Sequence, residues 1–204
     1  MKIVVLLSGG VDSTTCAALA VSKYGKENVT GLTFLYGQKH SNEIENARKV
    51  AEYLDINLIE ASVDSDIFKG SKSTLLQGGG EISHKSYAEI IEENGEGTVD
   101  TYVPFRNGLM LSQAAALAYS TDAEEVWYGA HADDAAGAAY PDCTPEFYDF
   151  MNKAIYSGTG KKVHLYAPLI NLNKGQVVAA GLKVDTPYQL TRSCYEGHEF
   201  ACGK

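Results

Sequence analysis

The junction near the amino end most constrains the fold. Lys2–Leu7 is a continuous apolar, β-branched run, followed at once by Ser8-Gly9-Gly10-Val11-Asp12-Ser13-Thr14-Thr15 and then by Ala and Leu at helical spacing. A strand with no polar alternation needs cover on both faces, which a parallel sheet with helices on either side provides. The same alternation continues downstream. A helix is predicted from Asp12 to about Lys23, a strand over Val29–Tyr36, an amphipathic helix over Asn42–Leu54 and a strand over Ile56–Ala61. After a break, helices are predicted over Asn107–Tyr119, Glu146–Tyr156 (capped by Thr144, with Pro145 in its first turn) and Lys174–Gly181, and strands over Glu125–Gly129 and Val163–Pro168. The β-α-β order implies right-handed crossovers and an α/β fold. The break, about residues 64–100, carries Gly78-Gly79-Gly80 and Asn94-Gly95-Glu96-Gly97, and is read as an insertion or lid within a single domain spanning 1–204.

A strand, a tight Gly-Gly turn and a helix start form an anion site. The glycines admit the ligand to the backbone, the helix N-terminus points N–H groups at it, and Ser8, Ser13 and Thr14 add hydroxyls. The segment is neither a Walker A loop nor a G-x-G-x-x-G turn, and no Lys lies between Lys2 and Lys23. Asp12 would repel a bound anion unless Mg²⁺ bridges the two, or unless it only caps the helix.

Composition narrows the function class. There are 17 basic and 26 acidic residues, a net charge of −9, which opposes nucleic-acid binding through a basic surface. Four cysteines in 204 residues are too few for a secreted disulfide scaffold. The apolar run Ile3–Leu7 is shorter than the roughly 7–15 residues of a signal h-region, and nothing approaches the roughly 18–20 of a membrane span. A cytoplasmic chain without membrane or direct nucleic-acid partners is expected.

The segment SGGVDST resembles the pyrophosphate (PP-loop) motif of the ATP pyrophosphatase superfamily, whose members split ATP into AMP and pyrophosphate while adenylating an oxygen of their substrate. Further segments are similar to the 7-cyano-7-deazaguanine synthase family of queuosine biosynthesis: Tyr36-Gly37-Gln38-Lys39-His40, Val103-Pro104-Phe105-Arg106-Asn107-Gly108, Gly129-Ala130-His131-Ala132-Asp133-Asp134, Tyr140-Pro141-Asp142-Cys143, Ala167-Pro168-Leu169 and Ser193-Cys194-Tyr195. That resemblance implies a Rossmann-like, adenine nucleotide alpha hydrolase-like three-layer fold. It implies an ATP-dependent ligase that converts 7-carboxy-7-deazaguanine and ammonia to the nitrile (preQ0) through adenylated carboxylate and amide stages. A homodimer belongs to the same expectation. Alternatives are an enzyme that stops at the amide, a tRNA-modifying PP-loop enzyme and a non-catalytic nucleotide-binding module.

The residues expected at ATP are Leu7, Ser8, Gly9, Gly10, Val11, Asp12, Ser13, Thr14, Thr15, Cys16 and Ala17, with Mg²⁺ at Asp12, although Cys16, like Cys143, is also read as a plain buried thiol. Catalytic roles are expected for Asp12, Ser13, Arg106 and His131. Arg106 opens a predicted helix, where a cation opposes the macrodipole, so an anionic ligand is favoured over a plain surface charge. His131 is either a satisfied core imidazole or a functional group at a strand end. Asn107, Asp133, Asp134, Asp142 and Lys174 complete the substrate-side set, with Asp133 or Asp134 read as holding Mg²⁺ or the guanine-like edge of the substrate. Asp142 is read as a carboxylate for a guanidine-type N–H pair, Lys174 as a phosphate cation or an exposed helix start, and Phe105 or Tyr140 as a surface for stacking. In the family, a C-terminal Cys followed by C-x-x-C-x-x-C binds structural zinc. Cys194 and Cys202 match its first two positions, and two further ligands are expected beyond Lys204.

Overall fold

The computed structural model describes residues 1–38, 42–77 and 97–192. Five parallel strands form one sheet in the order β3-β2-β1-β4-β5: β1 Ile3–Leu6, β2 Val29–Leu35, β3 Asn57–Ser62, β4 Glu125–Trp127 and β5 His164–Tyr166. Strand β1 is central, pairing Ile3 with Val29 on one side and Glu125 on the other. The predicted strand over Glu125–Gly129 is shorter than expected, because pairing with β1 ends at Trp127 and the chain then turns into the site.

Helices cover both faces, giving the expected three layers. Helices α1 (Val11–Tyr24), α2 (Asn42–Leu54) and, later in the chain, α6 (Lys174–Leu182) lie on one face, where Ile3, Val5 and Leu7 pack against Cys16, Ala17, Val50 and Val177. On the other face, α3 (Arg106–Ser120) and α5 (Pro145–Gly158) meet Val4, Leu32 and Val126 through Leu111, Ala114 and Ile155. The pleat sends Val4 to one core and its neighbours Ile3 and Val5 to the other, so every position of β1 must be apolar. Between β4 and α5 lie a short turn of α-helix, α4 (Ala132–Ala135), and two 3-10 turns, Ala136–Ala138 and Pro141–Cys143.

Thr144 caps α5 by accepting the Phe147 N–H, with Pro145 at its first position, as the sequence predicts. Asn173 and Gln176 form a reciprocal capping box at α6. The flanks of the expected insertion pack onto the sheet's core: Phe68, Leu75, Leu76 and Val99 are buried there, and Thr74 donates to the Asp100 carbonyl. The centre of that insertion, Cys194 and Cys202 all lie outside the described residues. No helix among the described residues is long and apolar enough to cross a membrane.

Candidate active site

A cavity of about 300 Å³ opens at the carboxyl ends of β1, β2 and β4. Strand order reverses there, the usual crevice of a doubly wound sheet. One end is the glycine turn. Gly9 sits at φ +80°, and a Cβ there would come within 2.7 Å of Ala47 N and Asn46 Cβ, so only glycine lets the turn pack on α2. The Ser13 hydroxyl donates to the Gly10 carbonyl at 3.1 Å and accepts the Ser8 N–H at 3.2 Å, and Ser8 Oγ lies 3.0 Å from Ser13 Oγ. Gly10 precedes α1 with no side-chain cap, leaving the helix N-terminus facing the cavity. At Gly129 a Cβ would fall 2.9 Å from the Asp12 carbonyl, so a second glycine admits the β4 end beside α1.

Asp12 is the electrostatic centre of this end. Lys174 Nζ donates to both carboxylate oxygens at 2.7 Å, and His131 Nε2 stands 3.6 Å from Asp12 Oδ2 and 3.4 Å from Asp134 Oδ2. Burial opposes the Asp12 charge, but His131 and Lys174 outweigh it and hold the carboxyl below the usual range. Burial likewise favours neutral His131, yet Asp12 and Asp134 raise its pKa. Asp134 moves up instead, because burial exceeds the pull of His131.

The opposite wall is assembled from distant segments. Phe105 takes a left-handed conformation, φ +54°, and starts α3 so that Arg106 and Asn107 occupy its first turn. Arg106 Nη1 donates to the Tyr36 hydroxyl at 3.1 Å, and its guanidinium lies 5.2 Å from that ring's centre. Glu43, in the first turn of α2, also lines this wall; burial raises its pKa, with Arg106 opposing.

Several expected contacts are relocated. Leu7, Ser8, Gly10, Val11, Asp12 and Ser13 line the cavity; Gly9 instead faces α2. Thr14, Thr15, Cys16 and Ala17 do not line it, because the helix turns them into the core; Thr15 donates to the Val11 carbonyl, and burial pushes the Cys16 thiol up. His131 is buried behind Asp12 rather than at the cavity surface. Asp133 is exposed and accepts the Lys174 N–H at 2.7 Å. Asp142 is buried and accepts the Asn107 N–H at 2.9 Å, serving the α3 N-terminus; burial raises its pKa against that bond and Arg106. Asn107, Arg106, Asp134 and Lys174 do line the cavity, as does Tyr140. Phe105 lies outside it, edge-on to Phe147.

Sequence reasoning assigned no role to Tyr36, Glu43, Tyr128 or Arg192, all of which line the cavity. Arg192 donates its backbone N–H to the Gly9 carbonyl, while its Nε and Nη2 are buried without hydrogen-bond partners among the described residues, as is the Tyr128 hydroxyl. Unsatisfied buried donors beside a helix N-terminus suit an anion. Among the described residues no group of three or more His, Cys, Asp or Glu is placed to hold a metal.

The queuosine biosynthesis protein QueC model matches residues 2–204. The chain belongs to the QueC family. It is 44% identical over 206 residues to the 7-cyano-7-deazaguanine synthase of Oceanobacillus iheyensis, covering 100% of this chain and 88% of that one. The synthase of Thermoplasma volcanium is 39% identical over 207 residues, covering 100% and 81%. Solved structures extend the likeness in fold. The U34-tRNA thiolase NcsA of Methanococcus maripaludis, which carries a 4Fe-4S cluster, superposes with a TM-score of 0.58 at 18% identity, over 99% of this chain and 60% of that one. The NMN synthetase of Francisella tularensis gives 0.52 at 21%, over 95% and 65%. As a QueC-family member the chain is an enzyme on the adenine nucleotide alpha hydrolase-like fold.

Proposed function

We propose that this chain is a cytoplasmic ATP-dependent C–N ligase, acting as a homodimer, that turns 7-carboxy-7-deazaguanine and ammonia into 7-cyano-7-deazaguanine. The observation that carries the reading is the cavity itself. Its loop end offers uncapped helix N–H groups and the Arg192 donors that lack partners among the described residues, suited to pyrophosphate, and its far wall carries Arg106, suited to a carboxylate.

A carboxylate is a poor electrophile. Its oxygen attacks the ATP α-phosphorus and expels pyrophosphate, and ammonia then adds to the acyl carbon and displaces AMP, leaving the amide after loss of a proton. The amide oxygen attacks a second ATP, again expelling pyrophosphate. Loss of AMP with the remaining N–H protons gives the nitrile. The protein's part is alignment and charge stabilisation. Ser8, Gly10, Ser13 and Arg192 hold phosphate oxygens in this reading, Arg106 orients the carboxylate, and Lys174 is a cation able to transfer from Asp12 to phosphate. His131 positions Asp12 from behind. Mg²⁺ needs only one or two carboxylates beside phosphate oxygens. Asp12 fits that need and would hold it, the ion supplying charge neutralisation.

The test is turnover of 7-carboxy-7-deazaguanine with ATP and ammonia, read by mass spectrometry and AMP release. Nitrile with AMP and pyrophosphate is expected; accumulation of amide alone would make the enzyme an amide synthase, and no AMP would overturn the reading. Asp12→Ala should cut AMP formation by at least about 100-fold while the protein stays folded, whereas near-normal turnover would leave Asp12 as a mere partner of Lys174.

A further inference from the structure

Three carboxylates line the cavity among the described residues: Asp12, Asp134 and Glu43. Asp12 is held by Lys174 and His131, and Asp134 faces His131. Of the carboxylates expected to meet a guanidine-type edge besides Asp134, Asp142 is buried outside the cavity with the Asn107 N–H on it, and Asp133 is exposed outside it with the Lys174 N–H on it. Glu43 differs from all of these. It has no hydrogen-bond partner among the described residues, it is half-buried, and it projects from the first turn of α2 at the wall shared by Tyr36 and Arg106. Burial raises its pKa, so its charge lacks full compensation.

Resting on the ligase reading above, we propose that Glu43 is the specificity residue that accepts both the N1–H and the 2-amino N–H of the deazaguanine. The chemistry matches. The two donors are parallel and coplanar, as in a guanidinium, and a carboxylate takes such a fork with one oxygen per donor. Arg106 on the same wall takes the substrate's carboxylate, so the two charged residues grip opposite ends of one planar ligand. Each end is matched by opposite polarity, which fixes which edge of the base faces the ATP. A substrate without the 2-amino group would leave one Glu43 oxygen unpaired in a half-buried site, and that loss is the source of discrimination.

The experiment compares kcat/KM for 7-carboxy-7-deazaguanine and for its analogue lacking the 2-amino group, in the wild type and in Glu43→Gln. The wild type should favour the full substrate by about 10- to 100-fold, the cost of one hydrogen bond to a charged group. In Glu43→Gln the preference should fall to within about threefold, with the ATP KM unchanged. Equal wild-type rates for the two substrates would overturn the assignment without any variant, as would a variant that keeps the full preference. If Glu43 only positioned Arg106, the variant would lose activity equally on both substrates and keep the wild-type ratio, which also refutes the assignment. Turnover without discrimination sinks this inference alone; no turnover by the wild type sinks the ligase reading and this inference with it.

Discussion

At the loop end of the cavity, Ser8, Gly10, Asp12 and Ser13 are near neighbours in the chain, and their geometry is set by backbone: a left-handed Gly9, a helix start and a hydroxyl closing onto the Gly10 carbonyl. At the far wall, Tyr36, Glu43, Arg106 and Tyr140 come from separate segments and meet only because the sheet brings the ends of β2 and α2 beside α3. On the proposed reading, the loop end handles a group common to a superfamily, and a rigid backbone cradle does that well. On the same reading, the far wall handles what distinguishes one substrate from another, and side chains on separate elements can differ independently. Loss of a loop residue should therefore abolish chemistry, whereas loss of a wall residue should reweight ligands.

The largest effect is expected at Gly9. Gly9→Val places a branched side chain against Ala47 and Asn46 at a positive φ, a strain of about 1–3 kcal/mol before the clash is counted. AMP formation should vanish, and the melting temperature should fall by roughly 2–4 °C per kcal/mol. Gly10→Ala sharpens the point. Gly10 has φ −81°, and its Cβ would stand 3.5 Å from Ser8 Oγ and 3.7 Å from the Arg192 carbonyl. That variant should keep its melting temperature yet bind ATP more weakly, because its methyl group enters the phosphate space. If both variants lose stability alike, the cradle is a packing device and not a phosphate site.

Next in size is the wall. Arg106→Ala should weaken 7-carboxy-7-deazaguanine by about 2–5 kcal/mol, the usual cost of removing one partner of a desolvated charge pair, with a smaller change for ATP. Arg192→Gln should show the reverse pattern, weakening ATP and pyrophosphate more than the deazaguanine. Isothermal titration with each ligand in turn reads the split. Equal losses for both ligands in both variants would erase the distinction between the two ends.

The same contrast explains what the sequence made legible. The α/β alternation, the cap at Thr144 and the glycine turn ahead of α1 are written in neighbouring residues, and each has a local physical signature. Glu43 and Tyr36 carry none: an acid in a helix's first turn is an ordinary dipole partner, and only the packed sheet shows that it faces a cavity. Asp142 and His131 were singled out for their chemistry, but the fold uses Asp142 at the α3 N-terminus and puts His131 behind Asp12. Burial decided between those roles, and burial depends on contacts across the whole chain. Cys16 shows the converse: of its two readings, the buried thiol holds, and adjacency to the loop motif does not bring it to the cavity because helical periodicity turns it into the core.

The smallest effect is the pH dependence of the His131 contact, which ties only the loop end to the core. Its folded pKa is raised above the ordinary 6.5, burial notwithstanding, and that of Asp12 is lowered below 3.8. A raised histidine contributes stability that is full below its unfolded pKa and lost as pH rises through the folded one; a lowered aspartate contributes above its unfolded pKa and loses that as pH falls. The pair is therefore worth most between roughly pH 4 and 6.5. His131→Asn should cost about 1.5–3 kcal/mol in that window, and thermal melts should show the gap to wild type closing as pH climbs through the raised value. A gap that stays open for His131→Asn at high pH would mean that the imidazole holds Asp12 as a neutral packing group, and that the charge of Asp12 is set by Lys174 alone.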